Sequence, residues 1–397
     1  MLSHAGIHTI LCSLIAGELS TKNPALFAHL AVQDLTPDTL LREGDLALDS
    51  LSLTRTAIAA ASFFDLYSVN RQELLLAGKS IGQWTESIAE SYQLGADGIH
   101  FKSSGSTGLA KSVHHPSAFL LQEARAWAIQ LAPLGLKRAV LACPAHHIYG
   151  CIWGVWLPQV LGIETLVVSP LALPACLRDG DLLITVPPVW DYLAPAGQHM
   201  PQRVLGINST GPLREETRST LAQGSQEVWE IYGSSETAGI ASRPVTASHY
   251  TLLEHWARGA AAHTLVRRCP DGISRAFDLP DVVEWINPRE LRPVKRRDQA
   301  IQIGGHNVSA QWVAEQIQQL PHVKACAVRA HLQGGDSFLK AFIVLDEDTE
   351  TLRHDMAFLI RMQLPNYAMP KHLSFGSALP VNGMGKLIDW PLDAKQE

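Results

Sequence analysis

Ser103-Ser104-Gly105-Ser106-Thr107-Gly108-Leu109-Ala110-Lys111 gathers small residues, hydroxyls and a lysine after a short apolar segment. Small residues let backbone N–H groups approach phosphate oxygens, hydroxyls donate further hydrogen bonds, and lysine supplies charge. In composition the stretch is a phosphate cradle. Counted as a mononucleotide loop, Gly105 to Ser112 spells G-x-x-x-x-A-K-S, with Ala110 where the GxxxxGK[ST] pattern has glycine. The competing reading is a Ser/Gly-rich surface turn.

Working outward, the chain has 397 residues, 46% hydrophobic and 18% charged, which is the balance of a soluble globular protein of at least two domains. No apolar run approaches the ~20 residues of a membrane helix, so no membrane partner is expected. With 32 Lys and Arg against 38 Asp and Glu the net charge is −6, so no nucleic-acid partner is expected either. Six cysteines without a CxxC pair or zinc spacing read as reduced thiols, and the absence of a basic region before the first apolar stretch speaks against a secretory signal. A cytoplasmic protein is expected.

Ile7, Ile10, Leu11, Leu14 and Ile15 share one helix face, which predicts a helix over about 4–19. Turn residues follow (Asp34, Thr36, Pro37, Asp38), then an Ala-rich helix begins at Asp49-Ser50 and runs to about Phe64. A third helix fits 81–93. Beyond Gly95 the pattern becomes α/β, with apolar strand runs at 139–143, 165–169, 182–186 and 204–208. The last hundred residues predict a compact α+β unit of two helices (VSAQWVAEQIQQL and TLRHDMAFLIRMQL) and two strands (KACAVRAHL and KAFIVLD). Lys295-Arg296-Arg297-Asp298 stands before it as a hinge.

Four further segments choose between the readings of the phosphate loop. Pro144-Ala145-His146-His147-Ile148-Tyr149-Gly150 contains an aromatic/His motif, and Tyr232-Gly233-Ser234-Ser235-Glu236 is similar to YGxTE with serine for threonine. Arg296-Arg297-Asp298-Gln299-Ala300-Ile301-Gln302-Ile303-Gly304-Gly305 resembles RxDxxIKxxG. Leu379-Pro380-Val381-Asn382-Gly383-Met384-Gly385-Lys386 resembles LPxxxxGK. With SSGSTGLAK they occur in the order found in the adenylate-forming enzymes, the superfamily of acyl-CoA and aryl-CoA synthetases, peptide-synthetase adenylation domains and luciferases, and the chain resembles that superfamily.

The resemblance implies an AMP-forming acid:thiol ligase. ATP, Mg²⁺ and a carboxylic acid would give an acyl-AMP, and a thiol, from coenzyme A or the 4′-phosphopantetheine of an acyl carrier protein, would take the acyl group. Ser103, Ser104, Gly105, Ser106, Thr107 and Gly108 with Lys111 would hold the β- and γ-phosphates. Glu236 would bind Mg²⁺, with Ser235 beside it in the cofactor site, and Tyr232 would stack on adenine. Thr210-Gly211-Pro212-Leu213 is similar to the family's adenine-side segment. The ribose aspartate falls fifteen residues before Arg296, at Asp281, with Asp278 as alternate because the family's TGD triplet is absent; Arg296 would share the ribose hydroxyls. His147 would line the acyl pocket, with His146 as alternate. Lys386 would bring its ammonium to the α-phosphate on a mobile small domain.

The front of the chain departs from the family, whose phosphate loop follows a larger subdomain. Leu48-Asp49-Ser50-Leu51 resembles the D-S-L motif of acyl carrier proteins, which makes Ser50 a candidate phosphopantetheine attachment point. Its alternatives are a degenerate carrier fold covering the face left bare and a purely structural N-cap. The expected fold is therefore a large α/β adenylation core (96–296) plus a small α+β C-terminal domain (297–397), preceded by a helical carrier-like bundle (1–95). Serine at Ser235, Lys295, Gln302 and the missing TGD leave one competing expectation, a catalytically degenerate adenylation-fold protein acting as carrier or scaffold.

Overall fold

The computed structural model describes residues 1–22, 30–103, 111–195, 200–224, 227–297, 300–333, 336–381 and 387–392. They form two compact units, one from Met1–Ser103, Ser112–Leu279 and Val283–Pro293, the other from Lys111, Pro280–Val282 and the described residues from Val294 on.

Among the described residues the first unit opens with three long helices, α1 (His4–Lys22), α2 (Ser50–Phe63) and α3 (Ile81–Gln93), with a single helical turn, Leu74–Ala77, before the last. The periodic residues Ile7, Ile10, Leu11, Leu14 and Ile15 of α1 are all buried. Asp49 caps α2, its carboxylate accepting the Ser52 N–H at 2.7 Å, and Ser80 caps α3 by accepting the Gln83 N–H. The ribbon β1 (Ile99–Ser103) and β2 (Lys111–His115) follows, then α4 (Ser117–Leu131).

Parallel strands β3 (Arg138–Leu141), β4 (Glu164–Val167), β5 (Asp181–Thr185) and β6 (Leu205–Asn208) lie close to the four apolar runs of the sequence. β5 and β6 are buried at every residue and β3 at all but its first, because both faces of the sheet are covered there, while β4 at the edge alternates exposed and half-buried residues. Ala139, Leu141, Leu182, Ile184, Leu205 and Ile207 pack in one core with α1 to α4. Val140, Leu183 and Val228 face the other way, against Val189, Trp190 and Leu193 of α5 (Pro187–Leu193) and Leu221 of α6 (Glu215–Gln223).

The sheet continues through β7 (Glu227–Ser234), parallel to β6, into antiparallel β8 (Ala238–Pro244) and β9 (Tyr250–Leu252). A separate three-stranded sheet, β10 (Trp256–Arg258), β11 (Thr264–Arg268) and β12 (Ser274–Asp278), precedes β13 (Asp281–Asn287) and β14 (Glu290–Arg296). The nine-stranded order is β13-β14-β9-β8-β7-β6-β5-β3-β4. This β-rich stretch between 227 and 296 has no counterpart among the expected elements. Most of its strands are short or alternate polar residues on an exposed face, as in the burial of β12 and β13, so outside β7 and β8 they lack the apolar runs of the parallel core.

No packing boundary falls at residue 95. The three helices contribute Ile10, Leu53, Ala57, Trp84 and Ile88 to the core that holds Trp127, Ile184 and Ile207, so the segment expected as a bundle of its own is built into the large unit.

In the second unit, hairpin β15 (Ile301–Ile303) and β16 (His306–Val308) leads to α7 (Ala310–Gln318), β17 (Val323–Gln333), β18 (Asp336–Leu345), α8 (Glu350–Gln363) and β19 (His372–Phe375). β17 and β18 are antiparallel and β19 runs parallel to β18. Val313, Ile317, Leu339, Ala341, Met356 and Ile360 close a core between helices and sheet, as the α+β reading of the C-terminal residues requires.

Candidate active site

The parallel register pairs Leu141 with Ile184, Thr185 with Asn208 and Asn208 with Glu230, so the carboxyl ends of β3, β5 and β6 lie level beside β7. Ligands of open α/β sheets bind beyond such ends. Three of the motif segments leave the sheet there: 144–150 after β3, 209–213 after β6, and 232–236 at the end of β7.

After β3, His147 is exposed and begins the helical stretch 148–161, while His146 is half-buried beside it with ring centroids 4.7 Å apart. Ser13 Oγ of α1 accepts the Ala145 N–H at 2.9 Å and lies 2.9 Å from His146 Nδ1. Gly17 lets α1 this close, since a Cβ there would stand 2.9 Å from His146 Cε1. Desolvation, then the neighbouring His147, push the His146 pKa down to about 3, so the ring is neutral at pH 7. Residues 152–156 of the helical stretch form a π-turn, a local irregularity often found at functional sites.

After β7, Tyr232 is half-buried with its ring 5.7 Å from that of Tyr250, Ser235 is half-buried and Glu236 is exposed. The turn carrying them is closely held. Ser234 N–H donates to Thr237 Oγ1 at 3.2 Å, and Thr237 N–H donates back to Ser234 Oγ at 3.3 Å. Buried His115 of β2 donates its Nε2–H to the Ser235 carbonyl at 2.7 Å, and burial lowers its pKa to about 4. Ala238 then takes a left-handed φ of 61°, and Gly239 N–H donates to Glu123 Oε2 at 2.9 Å. Glu123 is fully buried on α4, where desolvation raises its pKa against the charge of Arg267 and the Gly239 and Trp127 N–H groups.

After β6, Thr210 adopts φ 71°, a strained conformation for a β-branched residue. Asn208 Nδ2 donates to Gly211 O at 3.0 Å, and Leu213 N–H reaches Glu230 Oε1, whose other oxygen accepts Arg243 at 2.8 Å. Asn208 Oδ1 is buried with no hydrogen-bond partner among the described residues.

Lys111 is exposed at the start of β2, and Ser103 ends β1, so these strands flank the phosphate loop. Ser104, Gly105, Ser106, Thr107, Gly108, Asp298 and Lys386 lie outside the described residues. Within the second unit, Asp281 and Arg296, at the two ends of neighbouring strands β13 and β14, stand 3.9 Å apart, side chains mostly buried. The alternate Asp278 is exposed and lies 3.8 Å from His263. Ser50 is exposed at the first residue of α2.

Sequence reasoning missed Ser13, His115 and Glu123. Only Glu123 carried a signal: it shares a helix face with Leu120 and Trp127, and a carboxylate within an apolar stripe must find buried donors.

This architecture, a doubly covered parallel sheet with anchored loops at its carboxyl edge and a small α+β unit, is that of an adenylating enzyme. Residues 102–262 match the model of the AMP-binding enzyme family, and residues 313–386 that of the AMP-binding enzyme C-terminal domain. A 4-coumarate–CoA ligase of Halorhodospira halophila is 39% identical over 385 residues, 95% of this chain and 97% of the relative. A 4-coumarate–CoA ligase of Rhodobacter capsulatus is 32% identical, over 97% of this chain and all of the relative. An o-succinylbenzoate CoA synthetase of Bacillus subtilis, a double mutant solved with a product analogue, shares the fold with a TM-score of 0.63 at 15% identity, over 95% of this chain and 90% of that one. The chain belongs to the AMP-binding enzyme family, and it is an ATP-dependent acyl-CoA synthetase.

Proposed function

We propose that the enzyme activates an aromatic propenoic acid of the 4-coumarate type and transfers it to coenzyme A. The observation that carries this reading is the match to ligases named for that acid along nearly the full length of both chains. In the first half-reaction a carboxylate oxygen attacks the α-phosphorus of ATP, the bond to pyrophosphate breaks, and an acyl-AMP forms. In the second, the thiol of coenzyme A gives its proton to water, its sulfur bonds to the acyl carbon, and AMP leaves with the electron pair of the anhydride bond.

The chain's own residues serve these steps as follows. Ser103 to Gly108 and Lys111 hold the polyphosphate, Tyr232 stacks on adenine, and the segment 210–213 borders it. Asp281 and Arg296 take the ribose hydroxyls. The exposed carboxylate of Glu236, beside Ser235, fits Mg²⁺, which is held through one or two carboxylates together with substrate phosphates and supplies charge neutralisation when bound. His147 lines the acyl pocket with His146 neutral behind it, and Lys386 provides the charge that meets the α-phosphate.

The exposed Ser50 supports a second acceptor, a phosphopantetheine carried on this chain. Coenzyme A is preferred because α2, which would carry the arm, buries Leu53, Ala57, Ala60 and Ala61 in the core shared with the sheet, whereas a carrier must move. Intact mass after exposure to a phosphopantetheinyl transferase and coenzyme A separates the two; a gain of the prosthetic group that accepts the acyl chain would overturn the preference.

Pyrophosphate release with a panel of carboxylic acids tests the main proposal. The expected result is release dependent on 4-coumarate or a close phenylpropenoate, with the thioester appearing only when coenzyme A is added. No acid-dependent release from the folded protein with ATP and Mg²⁺ would sink it in favour of a degenerate scaffold. Lys386→Ala should slow acyl-AMP formation far more than ATP binding; an unchanged rate rejects that residue's role.

A further inference from the structure

The ribbon that flanks the phosphate loop carries a second group of chemistry-bearing residues outside the adenylation motifs. Alternation along the two strands turns Ile99, Phe101 and His115 inward, while His100, Ser112 and His114 share the opposite face. Asp65 meets that face from just beyond the end of α2. Its Oδ1 lies 3.1 Å from His100 Nε2, the rings of His100 and His114 are 4.6 Å apart, and one ligand atom from each of Asp65, His100 and His114 lies within 4.8 Å of the others.

We propose that Asp65, His100 and His114 form a binding site for a first-row divalent transition metal such as zinc. Two imidazoles and a carboxylate with a fourth position for water is a zinc donor set, and two donors each about 2.0–2.2 Å from one ion stand close to the observed Nε2–Oδ1 separation. The outer contacts suit the role. His114 Nε2 lies 2.7 Å from the Asp97 carbonyl, which can only accept, so that nitrogen carries the proton and Nδ1 keeps the lone pair. His100 Nδ1 lies 3.3 Å from Ser112 Oγ, an acceptor for its proton once Nε2 is given to the metal. In the metal-free protein His100 Nε2–H donates to the Asp65 carboxylate; metal binding at Nε2 moves that proton to Nδ1, where Ser112 Oγ accepts it, a change of tautomer with no net proton released. Asp65 is held at φ 56°, a left-handed conformation uncommon outside glycine, asparagine and aspartate, which aims its carboxylate at the ribbon. The bound ion would tie the end of α2 to both strands that flank residues 104–110.

The test is zinc titration into the chelator-treated full-length protein, in competition with a chromophoric chelator. One saturable equivalent is expected, with binding at least about tenfold weaker in each of Asp65→Asn, His100→Ala and His114→Gln. Asparagine tolerates the left-handed backbone at 65, and circular dichroism checks each fold. Equal zinc binding by the three variants and the parent would place the metal among other histidines and overturn the site, as would the absence of a saturable equivalent. A measurement on the unaltered chain stands beside these: zinc should protect His100 and His114 from diethylpyrocarbonate, read by peptide mass spectrometry, while exposed His354 reacts as before. Modification of both at the same rate with and without zinc would reject the proposal.

Discussion

Ser13 of the N-terminal helix holds His146 of the aromatic/His motif, its Oγ lying 2.9 Å from the ring Nδ1 and accepting the Ala145 N–H at the same distance. One hydroxyl thus fixes both the backbone and the ring orientation of a segment 132 residues away. Removing it leaves a buried N–H without an acceptor, at a cost of about 1–3 kcal/mol. Ser13→Ala should lower the unfolding free energy by that amount, read as a lower urea midpoint at an unchanged m-value, and raise KM for the acid more than KM for ATP. Equal effects on the two KM values would mean that the contact serves stability alone.

Glu123 ties helix α4 to the turn that carries Glu236. Its carboxylate accepts Gly239 N–H at 2.9 Å and faces Trp127 Nε1 at 3.3 Å, buried from solvent. Glu123→Ala strands two buried donors and leaves the Arg267 charge less compensated, so a loss of about 3 kcal/mol is expected. Gly239→Ala should also destabilise, because its Cβ would fall 2.2 Å from Glu123 Oε1. Chemical denaturation with an unchanged m-value checks both. Parent-like midpoints would remove Glu123 from any structural role.

The parts of the fold that sequence made legible are those whose residues answer to one local rule. Helix α1 followed from the spacing of five apolar residues, and β5 from a run buried on both faces, with every residue of Asp181–Thr185 inaccessible. The hairpin of β13 and β14 was illegible for the opposite reason: Val282, Ile286 and Val294 are exposed apolar residues and Arg292 pairs with Glu284 across the surface, so no face is cleanly apolar. At the candidate site, the motif residues were named by type and spacing. Their supports were not, since Ser13 to Ala145 or His115 to Ser235 is a contact between segments far apart in the chain, and a lone serine or histidine carries no mark of its partner.

Acid should unfold the protein through its buried histidines. Burial holds His115 at about 4 and His255 at about 3, from 6.5 in the unfolded chain; Arg267 beside both, and Arg268 beside His255, also favour the neutral ring. The unfolded state therefore binds protons that the folded state refuses. Their contribution to stability is complete above 6.5 and is lost as pH falls from there toward the folded values. Between about pH 6 and pH 5, each histidine should steepen the loss of stability by up to about 1.4 kcal/mol per pH unit. Urea titrations over that interval should give a shallower slope for His115→Gln than for the parent. An identical slope would show that His115 takes up its proton without unfolding.

Asp281 and Arg296 face each other at 3.9 Å with the aspartate side chain 12% exposed, a pair closed enough to hold two hydroxyls in a fixed geometry. If these groups bind ribose, the aspartate accepts from a hydroxyl and its loss should weaken ATP by about 2 kcal/mol, roughly thirtyfold in KM. Stability alone cannot distinguish this role from a structural ion pair. A comparison of ATP with 2′-deoxy-ATP and 3′-deoxy-ATP can. The parent enzyme should discriminate against at least one analogue, and Asp281→Asn should use ATP and that analogue almost equally while its KM for the acid stays near the parental value. Arg296→Ala should raise KM for ATP in the same direction. If Asp281→Asn keeps the parental ratio of ATP to both analogues, the pair does not read the ribose.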